Sequence, residues 1–431
     1  LDLYLTPISD FQKECYYMQL DDIKKDLEGK YSDIDSLSYT KLTMPLQLLN
    51  MSYPTRKYGN TGFKSIMRKI NTQSYAYREG YEDAFKPENI GTYSRKIKKI
   101  VDRVVDSGGI ALIYSQWIWA GVVPMACALE EAGFKRFEGV NIISSTSSKT
   151  KNTYAIICGL HDLTVNINNT IKALTTDNTN GDRIKVVIVS ETGTEGLDLN
   201  NIRQVHIMEP WYNMSRIEQI IGRAKRNCSH HKLDIKKRNV CVYLHSYTMD
   251  DVETLDMSVY RKAEQRAIDI GKVTRILKEV SVDCLLGDYS NDKPVIIKQQ
   301  LSNGVTIDHN IADQPYSTLC DYQDTCSYTC VNTLNKKEYG TDKSTYGLEH
   351  AHNNAIIDTL VNMFNKQNVY SISRIKDELS KKFPNIIEEE MDYAIQYIST
   401  IPLTNRNGLT GKAIQIGSTL YFKSDTMSSP Y

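Results

Sequence analysis

From about residue 93 to residue 250, unbroken apolar runs of strand length alternate with stretches whose apolar positions recur at helical spacing. The segment "YSRKIKKIVDRVVDSGG" (Tyr93 to Gly109) has the helical pattern and stops at a glycine pair, which feeds a strand beginning at Ile110. "RIKVVIVS" (Arg183 to Ser190) is a β-branched run that empties into "ETGTEGLDLN", a loop carrying Gly193 and Gly196. "RQVHIMEPWYN" (Arg203 to Asn213) predicts a second short strand, stopped by Pro210. A helix follows, because Ser215 and Glu218 have the S-x-x-E spacing of a capping box, which satisfies the free amide groups of a first turn. At about 100° per residue, Gln219, Arg223 and Arg226 fall within an arc of roughly 60°, with Ile217, Ile220, Ile221 and Ala224 on the opposite side. Lys225 lies off that stripe and faces solvent. "NVCVYLHSYT" (Asn239 to Thr248) predicts a further strand, and Thr254 to Leu286 a charged amphipathic helix.

The flanks have other patterns. "YPTRKYGNTGF" (Tyr53 to Phe63), rich in tyrosine and glycine, predicts an exposed insertion. The last 80 or so residues predict three helices, with a short strand Val369 to Ser371 after the first, then a hairpin from Gly408 to Asp425 that turns near Gly417 and Ser418. That order is a winged helix. Such modules often lay the third helix in the DNA major groove, but here it carries Glu388, Glu389, Glu390 and Asp392, which repel phosphates. Docking to protein is therefore preferred over reading of sequence, while Lys412 and Lys423 on the wing could still touch a nucleic-acid backbone. Cys320, Cys326 and Cys330, with His350 and His352 some 20 residues on, have some of the spacing of a zinc site; three reduced, partly buried cysteines are the alternative, and no metal ligand is assigned.

Composition narrows the class. A length of 431 residues predicts two to four domains, and 41% hydrophobic with 24% charged residues is globular. No apolar run approaches the roughly 20 residues of a membrane span, which predicts a cytoplasmic protein with no membrane partner. Nine scattered cysteines fit reduced thiols better than a disulfide framework. The formal net charge is zero, yet local patches decide nucleic-acid binding. Arg223 to Arg238 holds seven Lys or Arg against one Asp, and "SRKIKKIVDR" (Ser94 to Arg103) is a second patch.

The order strand, glycine loop, strand, capped arginine helix carries a resemblance. "SETGTEGLDL" resembles motif V of the superfamily 2 helicases and translocases, and Gln219-x-x-Gly222-Arg223-x-x-Arg226 resembles their motif VI. "IALIYSQWIWAGVVPMACALEEAGF" (Ile110 to Phe134) is similar to the strand and helix called motif IV. The longer string "EPWYNMSRIEQIIGRAKRNCSHHKL", with "RNVCVYLH" after it, resembles the helicase-like NTPases of poxviruses and other large cytoplasmic DNA viruses, of the early transcription factor small subunit type.

The resemblance implies an α/β fold: a second RecA-like domain, with parallel sheet and flanking helices, over residues 91–250. Residues 1–90 would be the end of a first RecA-like domain, or a linker, with an insertion; 251–345 a helical extension with a cysteine-rich turn; and 346–431 the winged helix. Arg223 and Arg226 would act as arginine fingers, since a planar, always charged fork suits phosphate oxygens. Gln219 would order the finger helix; Gly196, Asp198 and Gly222 would meet the nucleotide. Thr192 and Thr194 could donate to a nucleic-acid phosphate, although hydroxyls in a glycine loop also occur in plain turns.

No G-K-[ST] string or DEAH-type tetrad occurs; Gly271-Lys272-Val273 and Gly411-Lys412-Ala413 lack the hydroxyl. ATP and Mg²⁺ would therefore be held mainly by a first RecA-like domain outside this chain, whose first residue is Leu1, and the chain alone would not turn over ATP. The implied partners are nucleic acid, double-stranded DNA ahead of RNA, and an RNA polymerase or second transcription-factor subunit at the winged helix. The implied place is host cytoplasm, viral factory or virion. A second reading is a non-catalytic docking or DNA-binding module that retains the fold.

Overall fold

The alternating segments assemble into one sheet. The computed structural model describes residues 2–26, 39–146, 150–176, 178–191, 199–250, 252–284, 296–311, 313–331 and 354–425. Seven strands pair in parallel: β1 (Tyr4–Pro7), β2 (Ile110–Tyr114), β3 (Lys135–Arg136), β4 (Thr153–Ile157), β5 (Val186–Val189), β6 (Ile202–Ile207) and β7 (Cys241–Thr248). Their order is β1-β7-β6-β2-β5-β4-β3. Ala111 of the central strand stands opposite Val186 on one side and Gln204 on the other. The α-helices of two turns or more in this part of the chain are α1 (Asp10–Asp26), α2 (Tyr39–Asn50), α3 (Gly59–Ile66), α4 (Arg95–Val105), α5 (Val123–Glu131), α6 (Ile167–Thr175), α7 (Met214–Ala224) and α8 (Leu255–Val280).

A parallel sheet needs both faces covered, which is why its strands are unbroken apolar runs. Alternation along β2 sends Ala111 and Ile113 into one core and Ile110, Leu112 and Tyr114 into the other. α4 and α5 cover the first face through Ile97, Ile100, Val101, Val104 and Met125; α6, α7 and α8 cover the second through Leu174, Ile217, Ile220, Tyr260 and Ala263. The chain leaves β2 towards the β3 edge and leaves β5 towards the β1 edge. Reversals of this kind place ligands at the carboxyl ends of the strands.

Residues 1–90 differ from the expectation of a separate domain end and exposed insertion. β1 is an edge strand of this sheet, with Tyr4 beside His245 of β7. Tyr16 and Leu20 of α1 and Leu46 and Leu49 of α2 pack with Tyr247, Leu255 and Val259. Tyr53 and Phe63, at the two ends of the predicted insertion, are fully buried in the first core. Their rings supply the burial that a reading based on turn-forming tyrosine and glycine text does not count.

The cysteine-rich segment also differs. Cys284 pairs with Cys330 and Cys320 with Cys326, with Cα atoms 5.8 and 4.7 Å apart, so the reduced-thiol and zinc readings give way to two disulfides. Cys15, Cys127, Cys158, Cys228 and Cys241 are free thiols. His350 and His352 lie outside the described residues. The segment is held on α8 by Arg275, whose Nε donates to Asp321 Oδ2 at 2.9 Å and whose Nη groups donate to the carbonyls of Cys320, Thr325 and Ser327. Gly271 of α8 makes the approach feasible: a Cβ there would sit 1.9 Å from Asp321 O.

The structure divides into two units, Leu1–Asn332 and Thr333–Tyr431. The second has helices α9 (Asn354–Phe364), α10 (Ile372–Lys382) and α11 (Glu388–Ile398), and a four-stranded antiparallel sheet of Val369–Ser371, Thr419–Ser424, Thr410–Ile416 and Leu403–Thr404, in that spatial order. Leu360, Phe364, Ile375, Leu379, Ile395 and Leu420 form its core. Among the described residues no helix is long and apolar enough to cross a membrane.

Candidate functional site

Helix α7 leaves the carboxyl end of β6, runs back along the sheet and carries the described residues singled out by sequence. Helix α7 starts two residues earlier than the S-x-x-E spacing predicts: Asn213 is the cap, its Oδ1 accepting from Arg216 N at 3.4 Å. Asparagine caps as well as serine, and Met214 then falls inside the helix as part of its buried face with Ile217, Ile220 and Ala224. Glu218, freed from capping, accepts from Thr318 Oγ1 at 2.7 Å and from the Tyr322 hydroxyl.

The helix ends at Ala224, so the single guanidinium stripe expected from helical periodicity is broken. Gln219 is exposed and Arg223 half-buried on α7, whereas Arg226 stands in the following turn. Beyond Ala224 no apolar side chain rewards another helical turn, and Ser229 takes over the backbone: Arg226 N donates to Ser229 Oγ at 3.3 Å, and Ser229 Oγ donates to Arg226 O at 2.9 Å. Cys228 has φ 59° there. The turn is tied to the start of β6 by Asn201 N donating to Ser229 O at 3.0 Å and by His230 Nε2 on Ile202 O at 2.6 Å. Arg223, at the end of α7, and Arg226, in the turn tied to the start of β6, are thus held by two differently anchored pieces of chain. A Cβ on Gly222 would meet nothing within 4 Å, so open space lies before the helix at that point.

Thr192, Thr194, Gly196 and Asp198 lie outside the described residues. The two ends of their loop are described: Ser190 N donates to Ile157 O at 3.1 Å, and Leu199 is buried. Glu191, at the loop's start, pairs with Arg216 of α7 at 2.5 Å, and the same guanidinium lies 3.8 Å from the Trp211 ring centroid. Sequence reading passed over Arg216, although a charged residue in the first turn of a capped helix beside two aromatics was the available signal.

A buried polar frame supports these loops. Glu209, fully buried, accepts from Asn50 Nδ2 at the end of α2 and from Gln116 N after β2. Burial raises its carboxyl to about 7, against the pull of those hydrogen bonds. The adjacent carbonyl of Met208 accepts from Lys96 Nζ at 3.1 Å, and Lys96 pairs with Asp256 at 2.7 Å with both side chains wholly buried. None of these was singled out from sequence, because their partners lie far along the chain.

Chemically, α7 and its following turn offer cations and an exposed amide where an anion could be met, and the Ser229 hydroxyl, 2.8 Å from His230 Nδ1, is engaged in the turn's own hydrogen bonds. Among the described residues no group of three or more His, Cys, Asp and Glu could hold a metal ion. The cationic donors present suit an anion such as a phosphate group.

Residues 129–228 match the helicase conserved C-terminal domain. The chain is 27% identical over 293 residues to a protein of Acanthamoeba polyphaga mimivirus named as an ATP-dependent RNA helicase, covering 67% of this chain and 47% of that one. It is 27% identical over 310 residues to a protein of Invertebrate iridescent virus 3 named as a helicase, covering 69% and 29%. Against nucleoside triphosphatase I of Melanoplus sanguinipes entomopoxvirus, identity is 27% over 210 residues, covering 48% and 29%. The chain spans less than half the length of each of these relatives.

Proposed function

Because the chain carries the C-terminal helicase domain of superfamily 2 and belongs with the helicase-like proteins of large DNA viruses, we propose that it is the C-terminal motor half of an ATP-dependent helicase or translocase acting in viral transcription. One observation carries the reading: α7 and the turn tied to the start of β6 hold Gln219, Arg223 and Arg226 on one flank of a parallel sheet, with open space before Gly222. Arg223 and Arg226 stabilise the charge that develops on a transferring phosphoryl group, the principal task of a protein in this chemistry. Gln219 orders the helix near the nucleotide. Gly222 leaves room for its approach, and Gly196 and Asp198 couple it to the loop from which Thr192 and Thr194 hold a nucleic-acid phosphate. ATP and Mg²⁺ supply the phosphoryl group and its counter-charge, held mainly by a first RecA-like domain.

The second unit is assigned as a winged helix. Its acidic helix α11 places Glu388 and Asp392 at 2.9 and 2.7 Å from Lys376 of α10, a surface suited to a protein such as RNA polymerase or a second transcription-factor subunit. Double-stranded DNA is the favoured track, and the site of action is the cytoplasm.

Steady-state ATP hydrolysis by the full-length polypeptide, alone and with double-stranded DNA, single-stranded DNA or RNA at fixed salt, tests the reading. Stimulation by a polymer is expected, with Arg226→Ala lowering kcat by about 10³-fold or more while nucleic-acid affinity is retained. A folded protein with no turnover on any polymer overturns the motor in favour of a docking module. Wild-type turnover in Arg226→Ala overturns the finger assignment.

A further inference from the structure

On the far side of β5 from α7 lies a cleft of about 630 Å³ that the arginine site does not use. It opens between the segment Asn60–Arg78 and the loop Gly159–Leu163 that follows β4. Helix α3 buries Phe63 and Ile66 and runs directly into a hairpin, Met67–Lys69 paired with Tyr75–Tyr77. The hairpin is fastened to the domain by Tyr75 N donating to Ile142 O at 2.6 Å, Ser144 N to Tyr75 O at 2.8 Å, and Ser74 Oγ to Asn141 O at 2.8 Å. Phe63 meets Tyr75 and Trp119 with ring centroids 5.0 and 5.1 Å away.

That aromatic contact turns the apolar side of the segment inward and leaves its cations outside. Lys64, Arg68, Lys69 and Arg78 all line the cleft and are all exposed, against Asp162 as the one carboxylate in its lining. Lys69 stands 3.7 Å from Asp162 with both half-exposed, a contact worth about 0–1 kcal/mol. Arg78 donates through Nε to Lys64 O at 3.0 Å. Among the described residues Lys64, Arg68 and Arg78 have no ion-pair partner. Four cations lining one cleft against a single carboxylate make its potential positive, and a polyanion is what would relieve it.

We propose that this cleft is an accessory seat for a nucleic-acid phosphate backbone, built by the α3–hairpin segment. It rests on the motor reading for its polymer. The topology aligns the two: Trp119 follows β2, Gly159–Leu163 follows β4, and β5, from which the Thr192 and Thr194 loop continues, lies between those strands. A small anion would call for buried donors converging on one point. Here the cations stand apart at exposed positions on a helix, along a strand and just past another, as a repeating charge requires, with half-buried Trp119 as an aromatic floor.

Fluorescence-anisotropy titration of the full-length protein with labelled single-stranded DNA, duplex DNA and RNA, at several salt concentrations, tests the seat. The variant Lys64→Gln/Arg68→Gln/Lys69→Gln is expected to bind about tenfold or more weakly, with the slope of log K against log salt reduced by about 0.7–0.9 for each lost contact. Lys69→Gln alone, an exposed substitution that leaves the core intact, gives a proportionate fraction. Unchanged affinity and slope in the folded triple variant overturn the proposal. So does loss of inorganic triphosphate binding without loss of polymer binding, which would make the cleft a small-anion site. Basal ATP turnover separates the two readings: a variant that keeps it and loses polymer stimulation fails at the cleft, whereas a wild-type protein without it fails as a motor.

Discussion

Lys96 and Asp256 are wholly buried and 2.7 Å apart, and the groups around them come from distant parts of the chain. Lys96 Nζ reaches Met208 O and lies 4.8 Å from the Tyr247 ring centroid; Asp256 Oδ2 accepts from Tyr247 N at 3.1 Å. Removing one member of such a pair leaves the other's lost hydration uncompensated. Lys96→Met should therefore destabilise the first unit by about 3–5 kcal/mol, and Lys96→Met/Asp256→Asn should recover much of that loss. Urea unfolding measures both; a double variant less stable than the single would place the cost elsewhere. A second residue-scale effect is pH-dependent. His206 Nδ1 is 3.0 Å from His245 Nε2, and His206 stacks on Tyr243. Burial, with Arg103 nearby, pushes His206 down to about 3, and burial pushes His245 well below its ordinary 6.5. The unfolded chain takes up these protons near 6.5, so the stability contributed by the neutral pair is full above that pH and is lost as pH falls towards 3. Glu130 and Glu209, each raised to about 7 by burial, have the opposite sign: full below about 4.5, lost as pH rises through 7. The imidazole part is isolated by His206→Asn/His245→Asn, which should flatten the fall in unfolding midpoint between pH 6.5 and 4. An unaltered slope would show that other groups carry it.

Among the elements, α8 gives a prediction whose sign propensity alone gets wrong. Alanine in place of glycine inside a helix normally stabilises by about 1 kcal/mol. In Gly271→Ala the new Cβ would sit 1.9 Å from Asp321 O, a backbone atom, so the disulfide-bearing segment must move off the helix or the helix must bend. A net loss of about 1–3 kcal/mol is expected, with faster proteolysis within residues 313–331; a gain in stability would show that the segment is not held against α8. The same elements show what sequence could reveal. Strands β5 and β6 and the body of α7 were legible because unbroken β-branched runs and a helical apolar face are local signals. The start of α7 moved by two residues because Asn213 and Ser215 are both good caps. Its end was hidden because Ser229, Asn201 and Ile202 decide it through the fold. Glu209 was invisible as a site residue, since its partner Asn50 is 159 positions away, and the cleft was hidden behind text that looked like an exposed insertion.

At the scale of the molecule, zero net charge conceals basic surfaces in both units, and the share of each in nucleic-acid binding can be measured. The second unit draws its core only from itself, from Ile356 to Leu420, so it should unfold as its own cooperative step. A domain of about 100 residues gives an unfolding enthalpy of roughly 60–80 kcal/mol, large enough to resolve by calorimetry. On its sheet Lys412 stands directly opposite Lys423, both exposed. Like charges facing each other across two strands are destabilising, which a phosphate between them would reverse. Acidic α11 argues the other way, towards a protein partner. If protein docking prevails, a chain ending at Asn332 should keep the calorimetric transition of the first unit and the full salt slope of nucleic-acid binding. If the lysine pair holds backbone, the slope should drop by about 1.4–1.8, two contacts' worth, and Lys412→Gln/Lys423→Gln in the intact chain should reproduce that drop. Because the cleft lies in the first unit, binding that survives truncation should weaken in steps with Lys64, Arg68 and Lys69, whereas binding lost wholly with the second unit would move the polymer's seat from the cleft to the lysine pair.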